Sequence, residues 1–132
     1  MTGSVYTAYG NTAGALSTPW QQYTGPGGSD IYIDVNTSFA RFPGPPVYST
    51  ILRGTSGHWE TTGVTSIYNA TANGFRVYVR RPDGRTLTPQ EARDNGWYIE
   101  WVGTFVLAGE QPLPAPGAPS SVLRFERPLR GL

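Results

Sequence analysis

His58-Trp59-Glu60 places an imidazole, an indole and a carboxylate at three consecutive positions inside a Gly- and Thr-rich stretch, Gly54 to Gly63. An aromatic face packs on the C–H groups of a sugar ring, while carboxylate, amide or guanidinium groups bond its hydroxyls. The trio is therefore a candidate saccharide contact. The bland alternative is that Trp59 folds back over the core, because Trp is highly buried on average. Arg81, Asp83 and Arg85, set around Pro82 and Gly84, offer either a polar rim or a solvated turn. Asp30, which follows Gly27-Gly28-Ser29, either accepts hydroxyls or closes an Asx-turn on its own backbone.

Catalytic chemistry finds little to work with. The chain has one His and no Cys, and without a G-x-S-x-G elbow no nucleophile–base pair is visible. His58 and Glu60 are too few for a metal site. Asp34, Glu60, Asp83 and Glu100 are not paired by any spacing of the kind a glycosidase requires. The expectation is a protein that is not an enzyme and uses no cofactor or metal. Asn36-Thr-Ser and Asn69-Ala-Thr match glycan sequons, which matter only on a secretory route.

The 132 residues fit one domain with a real core. With Gly 17, Pro 12, 13% aromatic and only 14% charged residues, the composition points to an all-β sandwich or barrel. Formal net charge is +1, and all ten cations are Arg. Beyond Arg80-Arg81 and the spaced Arg124, Arg127 and Arg130 there is no basic cluster, which argues against nucleic acid as a partner. Lack of Cys rules out disulfides and thiolate metal sites. No apolar run reaches the length of a membrane span. Residues 1–30 lack the basic start and apolar core of a signal peptide. The expected setting is extracellular or within a particle, reached by lysis, a dedicated machine or loss of a leader.

These candidate groups need strands to hold them. Val64 to Val79 reads as a hairpin, with Asn73-Gly74 as its turn signal. In its second run Phe75, Val77 and Val79 share one face, while Arg76, Tyr78 and Arg80 share the other. Ile31–Val35 alternates in the same way. Thr37–Phe42 is expected to continue toward a corner, with Phe39 and Phe42 in the core. Pro43-Gly-Pro-Pro46 bars a central strand, and Val47–Arg53 resumes one. Thr88, Pro89 and Glu91 form a helix start with a capping box, giving a short helix over about 88–95. Trp97–Val106 is a long strand that turns Trp97, Ile99, Trp101, Gly103 and Phe105 inward. Before residue 31 the composition predicts an irregular arm, with Trp20–Tyr23 as an edge strand or cover. Residues 109–132 read as a Pro-rich linker followed by a docking tail.

Four pieces of this pattern, in order, resemble the H-type lectin domain. They are Pro45-Pro46-Val47; the aliphatic strand ending near Leu52; Ser66-Ile67-Tyr68 ahead of Asn73-Gly74-Phe75; and Trp97-Tyr98-Ile99-Glu100-Trp101-Val102. Residues 35–103, about half the chain, carry the likeness. The resemblance implies a six-stranded antiparallel β-sandwich that forms parallel homotrimers and binds galactose-type sugars without catalysis. It also implies an Asp ahead of the strand at Ile31, for which Asp30 is the nearest match. An implied Arg falls at Ser66, and an implied aromatic and His fall in the loop Arg81–Arg85, which has neither. The resulting expectation is a lectin- or adhesin-like homotrimer with a glycan or polysaccharide partner. The alternative is a structural subunit of a large assembly, such as a phage virion decoration or tail protein, docked on neighbouring capsid or tail subunits through residues 122–132.

Overall fold

The computed structural model describes residues 4–13 and 17–107. Its strands are β1 (Ser4–Asn11), β2 (Gln21–Gln22), β3 (Ile31–Asn36), β4 (Val47–Arg53), β5 (Ile67–Thr71), β6 (Gly74–Val79) and β7 (Tyr98–Leu107), with one short helix, α1 (Pro89–Asp94). They form two antiparallel sheets, ordered β1-β7-β4 and β2-β3-β6-β5. The fold is an all-β sandwich, as composition and alternation indicate. The described residues hold seven strands where the resemblance implies six, and one of the seven is only two residues long.

The core lies between the sheets. Ile31, Ile33, Val35, Phe75, Val77 and Val79 face it from one layer; Tyr48, Leu52, Trp97, Ile99 and Trp101 face it from the other. The period of two in β3, β4, β6 and β7 accounts for this division, since a half-buried strand must turn alternate side chains inward. Buried Leu87 and Ala92 extend the core under α1. The capping box at its start is complete: Thr88 Oγ1 accepts from the Glu91 N–H, and Glu91 Oε1 accepts from the Thr88 N–H. So short a helix depends on this cap and on the packing of Ala92.

Three local expectations change. The start of the chain is a strand, not an irregular arm: β1 pairs with β7 along its whole length, from Ser4 opposite Leu107 to Asn11 opposite Glu100. Its composition conceals an alternation in which Tyr6, Ala8 and Gly10 face inward, and the Tyr6 ring meets Phe42 edge-on at 5.6 Å. Next, Phe39 is 53% exposed rather than buried in the core. Asn36 Oδ1 accepts from the backbone and hydroxyl of Ser38, and a single 3-10 turn follows, which rotates Phe39 outward while Phe42 returns to the core. Finally, the hairpin between β5 and β6 turns at Ala72-Asn73, with Thr71 opposite Gly74. Gly74 is already a strand residue, needed there because a Cβ would collide with the Val35 carbonyl oxygen across the ladder. The positive φ of this hairpin belongs to Asn69, at 57°, inside an irregularity between Tyr68 and Thr71.

The two-residue strand β2 confirms the edge-strand expectation for Trp20–Tyr23, and Trp20 itself is buried. The linker and tail, residues 109–132, lie outside the described residues. No helix among the described residues is long and apolar enough to cross a membrane.

Candidate functional site

The outer face of the β2-β3-β6-β5 sheet gathers the aromatic and charged groups that alternation sends away from the core. Register sets Tyr32 opposite Tyr78 and Asp34 opposite Arg76, and Tyr68 also pairs with Arg76 from β5. Arg76 grips Asp34 with two N–H···O bonds, Nε to Oδ1 at 2.7 Å and Nη2 to Oδ2 at 2.9 Å. Its guanidinium carbon also sits 4.1 Å from the centre of the Tyr32 ring. Hydrogen bonding to Asp34, and after it to Tyr78, holds the Arg76 guanidinium more firmly protonated than an ordinary arginine. The pair neutralises its own charge and fixes the rings beside it.

Tyr78 is the hub of a tyrosine cluster. Tyr23 and Tyr68 meet it nearly perpendicularly, at 5.5 Å and 5.1 Å between ring centres, and Tyr32 lies tilted at 5.7 Å. Tyr23, Tyr68 and Tyr78 border an open cleft of about 520 Å³. Asp30 and Arg80 add charge of each sign to its lining, and Thr62, Gly63 and Ser66 complete it. The backbone of Thr62 bridges Arg80, and Gly63 holds φ at 105°, where a Cβ would lie 2.7 Å from the Tyr78 carbonyl oxygen. Glycine there lets the loop approach the strand that carries the hub.

Ile31 pairs with Val79, so Asp30 and Arg80 are the next opposed positions along the same two strands. They repeat the Asp34–Arg76 arrangement four residues further on. Yet Asp30 and Arg80 form no ion pair among the described residues, and the Arg80 guanidinium has no hydrogen bond there. One couple is closed and the other is open over the cleft.

The sequence-derived candidates divide between this cleft and its surroundings. Asp30 lines the cleft. His58, Trp59 and Glu60 form one 3-10 turn that leads directly to Thr62 and Gly63. Trp59 is 82% exposed, so it does not fold back over the core. Glu60 accepts from Arg81 at 3.5 Å, and the mostly buried Arg81 side chain also bonds Glu91 of α1. Those contacts, Glu91 foremost, raise the Arg81 pKa. They also tether the turn beneath Trp59 to the helix. His58 Nδ1 is buried with no hydrogen-bond partner. Asp83 and Arg85 bond each other, the carboxylate accepting from both the Arg85 backbone and its guanidinium, which lowers the Asp83 pKa. They complete a solvated turn and do not line the cleft.

No family model, curated protein or solved structure matches the chain. What the cleft can hold follows from its own groups. Among the described residues no cluster of three or more His, Cys, Asp or Glu could hold a metal ion. Tyr23, Tyr68, Tyr78 and Arg80 were not singled out by sequence. The outward alternation of Tyr78 and Arg80 in the β6 run is legible, but their meeting with Tyr23 and Tyr68 depends on strand order.

Proposed function

We propose that this protein is a non-catalytic carbohydrate-binding module, lectin- or adhesin-like in the manner of H-type lectins, acting as a homotrimer. The observation that carries the reading is the tyrosine cleft, one open hollow lined by Tyr23, Tyr68, Tyr78, Asp30 and Arg80. Aromatic surface with a few converging polar groups is the usual make-up of a small-ligand site, and sugars need both kinds of contact. Trp59, three residues ahead of the lining residue Thr62 and 82% exposed, supplies a further ring that nothing among the described residues covers. Glycan-array binding by the intact chain, lost in Tyr78→Ala with the circular-dichroism spectrum unchanged, is the expected result. Silence of the intact chain across a broad array overturns the reading.

Self-association draws support from the opposite layer. The outer face of the β1-β7-β4 sheet leaves Val5, Tyr9, Val47, Ile51, Val102 and Val106 exposed. Register places Val5 beside Val106 and Tyr9 beside Val102, while Val47 and Ile51 stand beside Thr104 and Glu100. A sheet face this apolar is suited to burial against another subunit. The expected mass in solution is three times 14.3 kDa.

The same exposed apolar residues, with Glu100 and Arg53 at one end closed on each other, also favour the second reading, a structural subunit of a virion or other large particle. Deletion of residues 110–132 separates the two, because a lectin keeps trimer and sugar binding, whereas an assembly subunit loses incorporation.

A further inference from the structure

We infer that the cleft takes several consecutive units of an uncharged glycan chain, with Tyr78 as its aromatic hub, Asp30 and Arg80 as its polar grip, and Trp59 as an outer contact. The inference rests on the saccharide reading above and specifies what kind of saccharide the site accepts.

Size and openness argue for a chain. The cleft measures about 520 Å³, within the roughly 300–1,000 Å³ that holds ligands well beyond one sugar ring. The cleft is open to solvent beside the sheet, so a saccharide longer than one ring can extend beyond it. The segment Trp59-Glu60-Thr61-Thr62 connects the exposed indole to a lining residue. Three residues span at most about 11 Å, so Trp59 lies within reach of the same short oligosaccharide. The Glu60–Arg81–Glu91 contacts hold the base of that turn to α1, which makes Trp59 a positioned contact and limits the ordering cost of binding.

Charge argues for a neutral ligand. Arg76 is closed on Asp34 and adds no net charge. Asp30 and Arg80, opposed across the two strands and unpaired, sum to zero as well. An acidic sugar bonded to Arg80 brings its carboxylate toward Asp30, and a basic one bonded to Asp30 meets Arg80. Adjacent hydroxyls avoid both conflicts, since one donates to the Asp30 carboxylate while its neighbour accepts from the Arg80 guanidinium. Neutral sugars satisfy the couple without repulsion.

The test is calorimetric titration of the full chain with ladders of one to six units from neutral cello-, manno-, xylo- and galacto-oligosaccharides, with oligogalacturonates as the acidic arm. In at least one neutral ladder, affinity should rise roughly tenfold or more from monomer to tetramer, with little change between low and high salt. Trp59→Ala should lower tetramer affinity several-fold more than dimer affinity, and Arg80→Gln and Asp30→Asn should weaken every length. Thermal melts matching the wild type establish that each variant is folded. Equal affinity for monomer and tetramer overturns the chain inference while leaving saccharide binding intact. Preference for oligogalacturonate, collapsing in high salt, overturns the neutral-ligand inference. Absence of binding in every ladder removes the saccharide reading and this inference with it.

Discussion

The indole N–H of Trp20 donates to the carbonyl oxygen of Trp97 at 3.0 Å, joining positions 77 residues apart in sequence. Trp97 in turn donates its own indole N–H to the Ser56 carbonyl oxygen at 2.7 Å. The first segment, the β4–β5 connection and the start of β7 thus meet at two buried tryptophans. Trp20→Phe keeps most of the apolar volume but leaves the Trp97 carbonyl without this donor. The expected loss is about 1–3 kcal/mol, the cost of an unsatisfied buried acceptor. Trp20→Ala adds a cavity and should lose about 3–5 kcal/mol. Urea unfolding of the two variants checks the order and the gap.

A second buried polar contact lies at the other end of the core. The Tyr48 hydroxyl donates to the Thr71 carbonyl oxygen at 2.6 Å and lies 2.7 Å from Thr37 Oγ1. Burial raises the Tyr48 pKa, and the hydrogen bond with Thr37 partly offsets that rise. A folded-state pKa above the unfolded one gives stability that is complete below the unfolded value, near 10.0. That stability is lost as pH rises through the folded value. Tyr48→Phe should therefore cost about 1–3 kcal/mol at pH 8, and the gap from wild type should narrow above pH 10. A gap that widens with pH contradicts the assignment.

The reach of sequence alone follows from the physics at these residues. Alternation in Ile31–Val35, Phe75–Val79 and Trp97–Trp101 is a local property, and each strand turns the expected side chains inward. The capping box at Thr88 and Glu91 is equally local and forms as its spacing indicates. Phe39 fails because one Asn side chain, bonding two residues ahead, outweighs the apolar preference of a single ring. The β1 strand is hidden in the sequence because its inward positions include Ala8, packed against the core, and Gly10, where a Cβ would collide with Trp101; neither carries a hydrophobic signal. The tyrosine cleft is the least legible feature. Tyr23, Tyr68 and Tyr78 come from three segments, and only the order β2-β3-β6-β5 brings them together.

Closure of the Asp34–Arg76 pair has a measurable strength. The two side chains remain 39% and 28% exposed, so solvent screening reduces what the contact contributes, even with two bonds and a ring beneath the guanidinium. A double-mutant cycle with Asp34→Asn and Arg76→Gln should give a coupling of about 0.5–1.5 kcal/mol, falling in high salt. The Arg76→Lys variant keeps the charge but loses the fork, and it should recover less than half of that coupling. Full rescue by Lys shows that charge alone is at work.

Val102 tests the apolar face without entering the core. It is exposed at the middle of β7, flanked by Tyr9 of β1 and Ser49 of β4. A carboxylate there meets water in a single subunit but is buried without a partner in an assembly that uses this face. Val102→Glu should therefore change unfolding free energy by no more than about 0.5 kcal/mol per subunit, while sedimentation shows mass falling from trimer to single chain. Glu100 already sits one row away on the same outward face, bonded to Arg53 at 3.3 Å. The new charge adds repulsion within the subunit as well, which the Val102→Gln variant removes. If the glutamine variant also dissociates with its stability intact, loss of apolar contact is the cause. If the wild type sediments as a single chain, the proposed trimer is overturned; if it is a trimer and both variants keep that mass, the subunits meet elsewhere.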